Sequence, residues 1–455
     1  MPAFTLQPAE REEALSLLRD LIRIDTSNPP GQEAPAIALL EGHCREAGLE
    51  TQVVGAHPER PNLVARFAAD PEKRTGRPLV LSCHVDCVPA DPTTWIHPPW
   101  SAHDDGECIW GRGTIDMKGF AAMAFAVIAK LKREQWPLTR DLLLVACSDE
   151  EAGTRLGSQW LVDERPDLLG SPEYVINEVG GFTVHREGRR FYPVQVAEKG
   201  VAWLRLEVGG KQGHSSVPSR ENAVSRLARA IDAIDRARLP WHASDEARRF
   251  LGGFARPRGS FAEKVASLLC HPLIGPCLLP LLVRDPSRRN SVEAILRNTA
   301  TPTCLINGTS INVIPGRAGV DIDGRLAPGQ TTTDLVRELE TVIRPVLKRD
   351  YSISVLHESP PVSFPTDTPL YREIEETLVA ADPGSHVVPA IIPGFTDSRN
   401  WARLGATCYG FYPLQLPPEL DFAALFHGDN ERIPIAGFHW GIEVLGGMLQ
   451  RFLGK

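Results

Sequence analysis

The chain has no excess of positive charge. Its 455 residues hold 49 Lys and Arg against 57 Asp and Glu, a net of −8, and no basic block breaks the mixture. Neither nucleic acid nor an anionic membrane is therefore expected as a partner. A disulfide framework is missing too. The nine cysteines are odd in number, scattered, and form no C-x-x-C pair, which fits reduced thiols in a cytoplasmic protein. The opening residues have no basic segment followed by an apolar one, so no secretory leader is expected. Internal repeats and low-complexity tracts are absent. One stretch, "VASLLCHPLIGPCLLPLLV" (265–283), carries no formal charge over nearly a spanning length. Its three prolines and one glycine argue against a continuous spanning helix, and it reads as a buried or interface-forming insertion.

What the chain does contain is the balance of a globular protein, 42% hydrophobic and 23% charged residues, at a length that implies two or three domains. Up to about residue 197, helical patterns alternate with short apolar runs that end in polar residues: "RPLVLSCHVD" (77–86), "RDLLLVACSDEE" (140–151) and "EYVINEVGG" (173–181). Such runs predict strands buried on both faces. "DMKGFAAMAFAVIAKLKREQW" supplies a crossover helix between the first two. The fold class is α/β, a mostly parallel sheet covered by helices. Around residue 200 the pattern changes to strand–helix–strand–strand–helix–strand, a split βαβ order. It predicts an inserted α+β, ferredoxin-like domain over 198–360, interrupted by the apolar insertion at about 240–300. Helix and strand alternation resumes over 361–455.

In an open α/β sheet, functional groups gather beyond the carboxyl ends of the strands. Three such ends carry His84 with Asp86, the run Asp149–Glu150–Glu151, and Glu178. Asp116 lies in the loop entering the crossover helix, and "FHGDNERIP" offers His427. Singly, each has an ordinary reading as a core histidine, a helix cap or a loop polar. Together they are five N/O donors with adjacent carboxylates that would repel one another without a cation. Two histidines and three carboxylates suit zinc, with cobalt or manganese as substitutes. A carboxylate shared by two ions would place a water between them, with its pKa lowered into the nucleophilic range.

"HVDCVP", "WGRGTIDMKG", "SDEEAG", "NEVGG", "KQGHSSVP" and "FHGDNERIP" occur in an order that resembles the di-zinc amidohydrolases and exopeptidases. That family includes acetylornithine deacetylase, succinyl-diaminopimelate desuccinylase, aminoacylase and the vacuolar-type carboxypeptidases. The resemblance spans essentially the whole chain. It implies two zinc ions, with Asp116 bridging both. Sequence leaves open which remaining ligand serves which ion; the family pattern puts His84 and Glu178 on one, Glu151 and His427 on the other. It further implies that Asp86 orients the His84 imidazole and that Glu150 is the general base. A non-proline cis peptide is expected at Asp116–Met117. The inserted domain would be a lid and dimerisation domain. His214 would reach the active site of a partner subunit and stabilise the oxyanion, and Asn312 and Arg325 would contact the scissile group and the substrate carboxylate. Thr396 and Arg399 of "PGFTDSRNW" match secondary substrate positions; for Arg399 a structural ion pair is an equal alternative.

The sequence departs from the family in two places. "AGTRLGS" follows the acidic run where paired glycines are usual, and the long lid insertion resembles the carboxypeptidase branch whereas "DMKG" resembles the deacetylase branch. The implied protein is a cytoplasmic, homodimeric di-metal hydrolase of N-acyl amino acids or short peptides. The alternatives are an aminopeptidase or dipeptidase with the same site, and a binding protein that keeps the fold without catalysis.

Overall fold

The structure, a computed structural model, describes residues 4–217, 219–306 and 310–454. Pro218 of "GHSSVP" and residues 307–309 of "INGTSINVIPG" thus lie outside the described residues. The chain forms two compact units, one running to Val196 and including Phe364–Pro389 and the residues from Thr396 onward, the other Ala197–Ser363 with Ala390–Phe395.

The apolar runs of the first unit are indeed strands buried on both faces. Leu142–Cys147, Leu79–His84, Tyr174–Asn177 and Thr407–Gly410 lie side by side and run parallel. Every residue of the first three is buried. The sheet is mixed overall, because Asn62–Phe67 and Arg189–Glu198 join it antiparallel. Register fixes what the sheet delivers. His84 lies opposite Cys147 and Leu81 opposite Ile176, so His84, the 148–151 turn and Glu178 emerge at one edge.

The crossover helix is Lys118–Arg133, buried continuously from Lys118 to Leu131 between the helices Pro8–Arg23 and Ile435–Leu453. At its start Gly119 permits a close approach: a Cβ there would meet the Thr114 carbonyl oxygen at 2.1 Å. The buried Lys118 donates from Nζ to the carbonyls of Leu21 (3.0 Å) and Ile24 (2.7 Å) at the end of the first helix. The Asp116–Met117 peptide is cis.

The second unit carries the split βαβ order. Its antiparallel sheet runs Thr299–Ile306, Arg317–Leu326, Gly200–Gly209, Tyr351–Ser359. The helices Ala223–Arg236 and Thr332–Leu347 pack Leu227, Ile234, Leu335, Leu339 and Ile343 against the sheet residues Leu204, Leu206, Val320 and Ile322. The apolar insertion, expected to be buried or interface-forming, is buried on one face only. It breaks around Pro272 into two short helices, Ser260–Leu269 and Gly275–Leu282. Leu269, Cys270 and Leu279 pack inward with Trp241, Ala247 and Leu296, while the opposite faces are exposed. Among the described residues no helix is long and apolar enough to cross a membrane.

Candidate metal centre

His84 closes its strand and is almost fully buried. Its Nδ1 lies 3.0 Å from the main-chain carbonyl of Asp86. A carbonyl only accepts, so Nδ1 carries a proton, and in the neutral ring Nε2 presents the lone pair. That Nε2 faces Asp116 Oδ1 at 3.0 Å and Glu178 Oε2 at 3.7 Å. The sequence reading gave the orienting role to the Asp86 side chain, but the nearer contact comes from its main chain, the carboxylate being 3.5 Å from Nδ1. The Asp86 carboxylate instead accepts the N–H groups of Glu150 and Glu151 (3.1 Å each) and the Asn28 amide (2.8 Å). It thereby shapes the turn that aims both glutamates.

The second histidine arrives from 343 residues further along the chain (427 minus 84). Arg112 and Glu431 bring it in, both almost wholly buried. Arg112 Nη1 donates to Glu431 Oε2 at 2.8 Å and to the Gly428 carbonyl at 2.9 Å. Glu431 also accepts the N–H groups of Gly113 (3.2 Å), Ile115 (2.6 Å) and Asp116 (3.2 Å). One carboxylate thus locks the loop carrying Asp116 to the loop carrying His427. The short antiparallel pairing of Arg432–Pro434 with Cys108–Trp110 continues the same junction. His427 Nε2 then stands 2.9 Å from Asp116 Oδ2 and 3.2 Å from Glu151 Oε2.

Two donor sets result, His84–Asp116–Glu178 and Asp116–Glu151–His427, with the ligand atoms of each within 4.8 Å of one another. Asp116 belongs to both. Asp116 Oδ2 and Glu151 Oε1 are buried without a hydrogen-bond partner. The short contact of Asp116 Oδ2 with His427 is an ion-pair distance without hydrogen-bond alignment. Buried orphan acceptors are costly unless something cationic satisfies them. The residues fit a pair of divalent cations.

Electrostatics point the same way. Burial first, then the Asp116 charge, pushes Glu151 up to about 7, and burial pushes Glu178 up to about 8 against the pull of His84. Asp116, despite its burial, is held low by His427 and His84. Glu150 is raised well above the ordinary carboxylate range by burial and by the Glu178 charge. It is buried beside both donor sets yet belongs to neither.

Asp149, the first acid of the run, is structural. In a left-handed conformation (φ 65°), it accepts from Asn28 (3.2 Å) and the Leu156 N–H (3.0 Å) and pairs with Arg60 (3.1 Å). Arg60 is in turn held by Glu33, whose side chain is wholly buried. The unusual "AGTRLGS" segment is anchored through Ser158, which hydrogen-bonds Asp397 and Asn400. Burial pushes the Asp397 carboxyl up to about 6. Glu431, Arg112, Arg60, Glu33 and Asp397 were missed by sequence reasoning; no local period marks them, since their partners lie tens to hundreds of residues away.

Thr396, of the same C-terminal motif as Arg399, is enclosed. It is 1% exposed, and its Oγ1 accepts from Asn177 Nδ2 (3.1 Å) and the Ser398 N–H (3.1 Å). The hydroxyl braces the strand end beside Glu178. Arg399 is half-buried and close enough to Asp397 to favour its ionised form, in keeping with the ion-pair alternative.

In the second unit, His214 and Asn312 come together. His214 pairs with Val313 in a two-stranded ladder, and the Asn312 carbonyl accepts the Ser215 N–H at 3.1 Å. His214 Nδ1 accepts the Ser216 N–H at 3.2 Å, which leaves the ring proton of the neutral form on Nε2. The side chain is exposed. Arg325 lies elsewhere, near the far end of Arg317–Leu326, with its Nε 3.1 Å from both oxygens of Asp323 and its guanidinium over the Phe395 ring.

Comparisons with known proteins converge on one family. Residues 80–451 match the sequence profile described as peptidase family M20/M25/M40. The chain is 29% identical to the human N-fatty-acyl-amino acid synthase/hydrolase PM20D1 over 82% of its length and 74% of that protein. It is 24% identical to human aminoacylase-1 over 96% and 94%. An M20 family metallo-carboxypeptidase from Sulfolobus solfataricus shares the fold with a TM-score of 0.68 at 16% identity, covering 96% of this chain and 98% of that one. A Bacillus subtilis protein described as a dinuclear metal binding peptidase from the M20 family gives 0.64 at 12% identity, covering 98% and 99%.

Proposed function

The chain belongs to peptidase family M20/M25/M40 and is a metal-dependent hydrolase, and from that premise we propose that it cleaves an amide bond next to a free carboxylate. The substrate is an N-acyl amino acid or a short peptide cut at its C-terminus. The observation that carries this reading is the pair of donor sets joined at Asp116, with the buried Glu150 outside both. His84 and Glu178 would hold one cation, Glu151 and His427 the other, and zinc suits these N/O donors, with cobalt or manganese as substitutes. Bound cations supply Lewis acidity, making water nucleophilic near neutral pH and polarising the scissile carbonyl.

The chain's own groups do the rest. Glu150 takes the proton of the attacking water and returns it to the leaving amine nitrogen, a task suited to a carboxyl whose proton affinity is raised. Asp86 holds the backbone of Glu150 and Glu151 in place. His214, donating from Nε2, stabilises the oxyanion, with Asn312 beside it on the scissile group. Arg325, held at its Nε edge by Asp323, keeps its terminal amino groups for the substrate carboxylate.

We also read the protein as a cytoplasmic homodimer whose second unit is a lid and dimerisation domain. The ten residues of Arg317–Leu326 span about 30 Å. The His214 ladder joins just before that strand begins and Arg325 sits at its end, so one copy cannot offer both groups to a small substrate. His214 of the partner subunit answers that requirement. Thr299–Ile306, at the sheet edge, exposes Leu305 and Ile306, a template for pairing with a second copy. Nine free cysteines accord with a reducing compartment.

A panel of N-acyl amino acids, C-terminally free peptides and dipeptides with free or blocked amines tests the substrate reading. Turnover of N-blocked substrates that disappears when the carboxylate is amidated is expected. Turnover confined to substrates with a free amine favours an aminopeptidase or dipeptidase and overturns it.

A further inference from the structure

Exposed large apolar side chains are not evenly spread. Six of the nineteen among the described residues fall within 261–282: Phe261, Leu268, Leu273, Ile274, Leu281 and Leu282. Phe261, Leu273 and Leu281 are 79%, 80% and 74% exposed. The two helices of the insertion pack against each other and are apolar on both faces. Leu269 and Leu279 face the core, while Phe261 and Leu268 on one helix, and Ile274 and Leu281 at the other, are spaced seven apart and so share an outward face. An exposed apolar cluster of this density marks a surface that meets something.

Its flanks indicate what. Residues 245–289 hold eight Lys and Arg against four Asp and Glu, a net of +4; the remaining 41 basic and 53 acidic residues give −12. Arg248, Arg256, Lys264 and Arg284 are exposed beside the apolar side chains. Charge further off than the screening length, about 8 Å at physiological ionic strength, has little effect on an approaching surface. Locally the insertion therefore presents an apolar tip with a positive surround, on a protein whose remainder is negative.

We propose that this tip docks peripherally on an anionic lipid surface. The apolar side chains enter the head-group boundary and the basic flank meets lipid phosphates. A two-fold contact with a second copy is the poorer occupant, because it would set one net-positive face against another. The prolines that forbid a spanning helix are no obstacle, since lying on a membrane requires none. The overall negative charge hides this surface in the sequence, which by itself points to no membrane partner.

The test is co-sedimentation of the full chain with phosphatidylcholine vesicles, with and without phosphatidylglycerol, at low and high salt. Binding is expected on the anionic vesicles and should weaken with salt. Leu273→Asp/Leu281→Asp should lower the vesicle partition coefficient at least about tenfold, with an unchanged melting temperature as these side chains are exposed. Lys264→Glu/Arg284→Glu should abolish the preference for anionic over neutral vesicles. Failure of the wild-type protein to sediment overturns the proposal, as does binding that neither variant alters. A fall in oligomeric mass on light scattering in the Leu variant, without vesicle binding in the wild type, assigns the face to a second copy instead.

Discussion

Glu150→Gln is expected to keep its full metal content and to lose about 10²- to 10⁴-fold in kcat, the range lost with a positioned general base. Glu150 is buried beside both donor sets without belonging to either, and Asp86 fixes its main chain. Glutamine preserves the shape and the N–H contact but cannot carry the proton from water to the leaving amine. KM should change little, because the group acts on the reaction step rather than on binding. Stability gives a second reading. A carboxyl whose folded pKa is raised costs folding free energy above its unfolded pKa, so in the metal-free protein at neutral pH the neutral amide should melt at the same temperature or higher. Substantial turnover by the metal-replete variant would remove Glu150 from the mechanism.

Glu431→Ala is expected to cost about 3–5 kcal/mol of stability, the range for removing one partner of a buried ion pair. The carboxylate receives three main-chain N–H groups and the Arg112 guanidinium, and the side chains of both Glu431 and Arg112 are almost wholly buried. Alanine would strand the Arg112 charge and loosen the loops carrying Asp116 and His427 together. Metal content should therefore fall along with the denaturation midpoint. Glu431→Gln, which keeps an acceptor without the charge, should lie between. A Glu431→Ala protein of wild-type stability and metal content would show that the junction is dispensable.

The sequence and the structure agree where burial writes a pattern. Parallel strands covered on both faces must be apolar throughout, so their polar ends stand out, and His84, Glu151 and Glu178 were legible for that reason. The element order of the second unit was readable because one-sided strands alternate. What escaped acts through main-chain groups over long separations. Nothing local distinguishes Glu431 from the neighbouring Asp429 and Asn430, and its partners at 112–116 lie more than 300 residues earlier. The same holds for Arg60 and Glu33 behind Asp149, and for the Asp86 carboxylate, whose work on the following glutamates depends on a turn in a different strand. A motif match likewise says nothing about how enclosed the Thr396 hydroxyl is, which only the fold reveals. For the insertion the choice between buried and interface-forming stayed open, because an apolar composition does not reveal which face is covered.

Metal stoichiometry by elemental analysis, on protein reconstituted with zinc and freed of excess, bears most directly on the claim that five side chains hold two ions with Asp116 shared. About two ions per chain are expected in the wild type, and loss of the pair in Asp116→Ala, since that carboxylate belongs to both donor sets. One ion or none in the replete wild type, or two retained without Asp116, would contradict it.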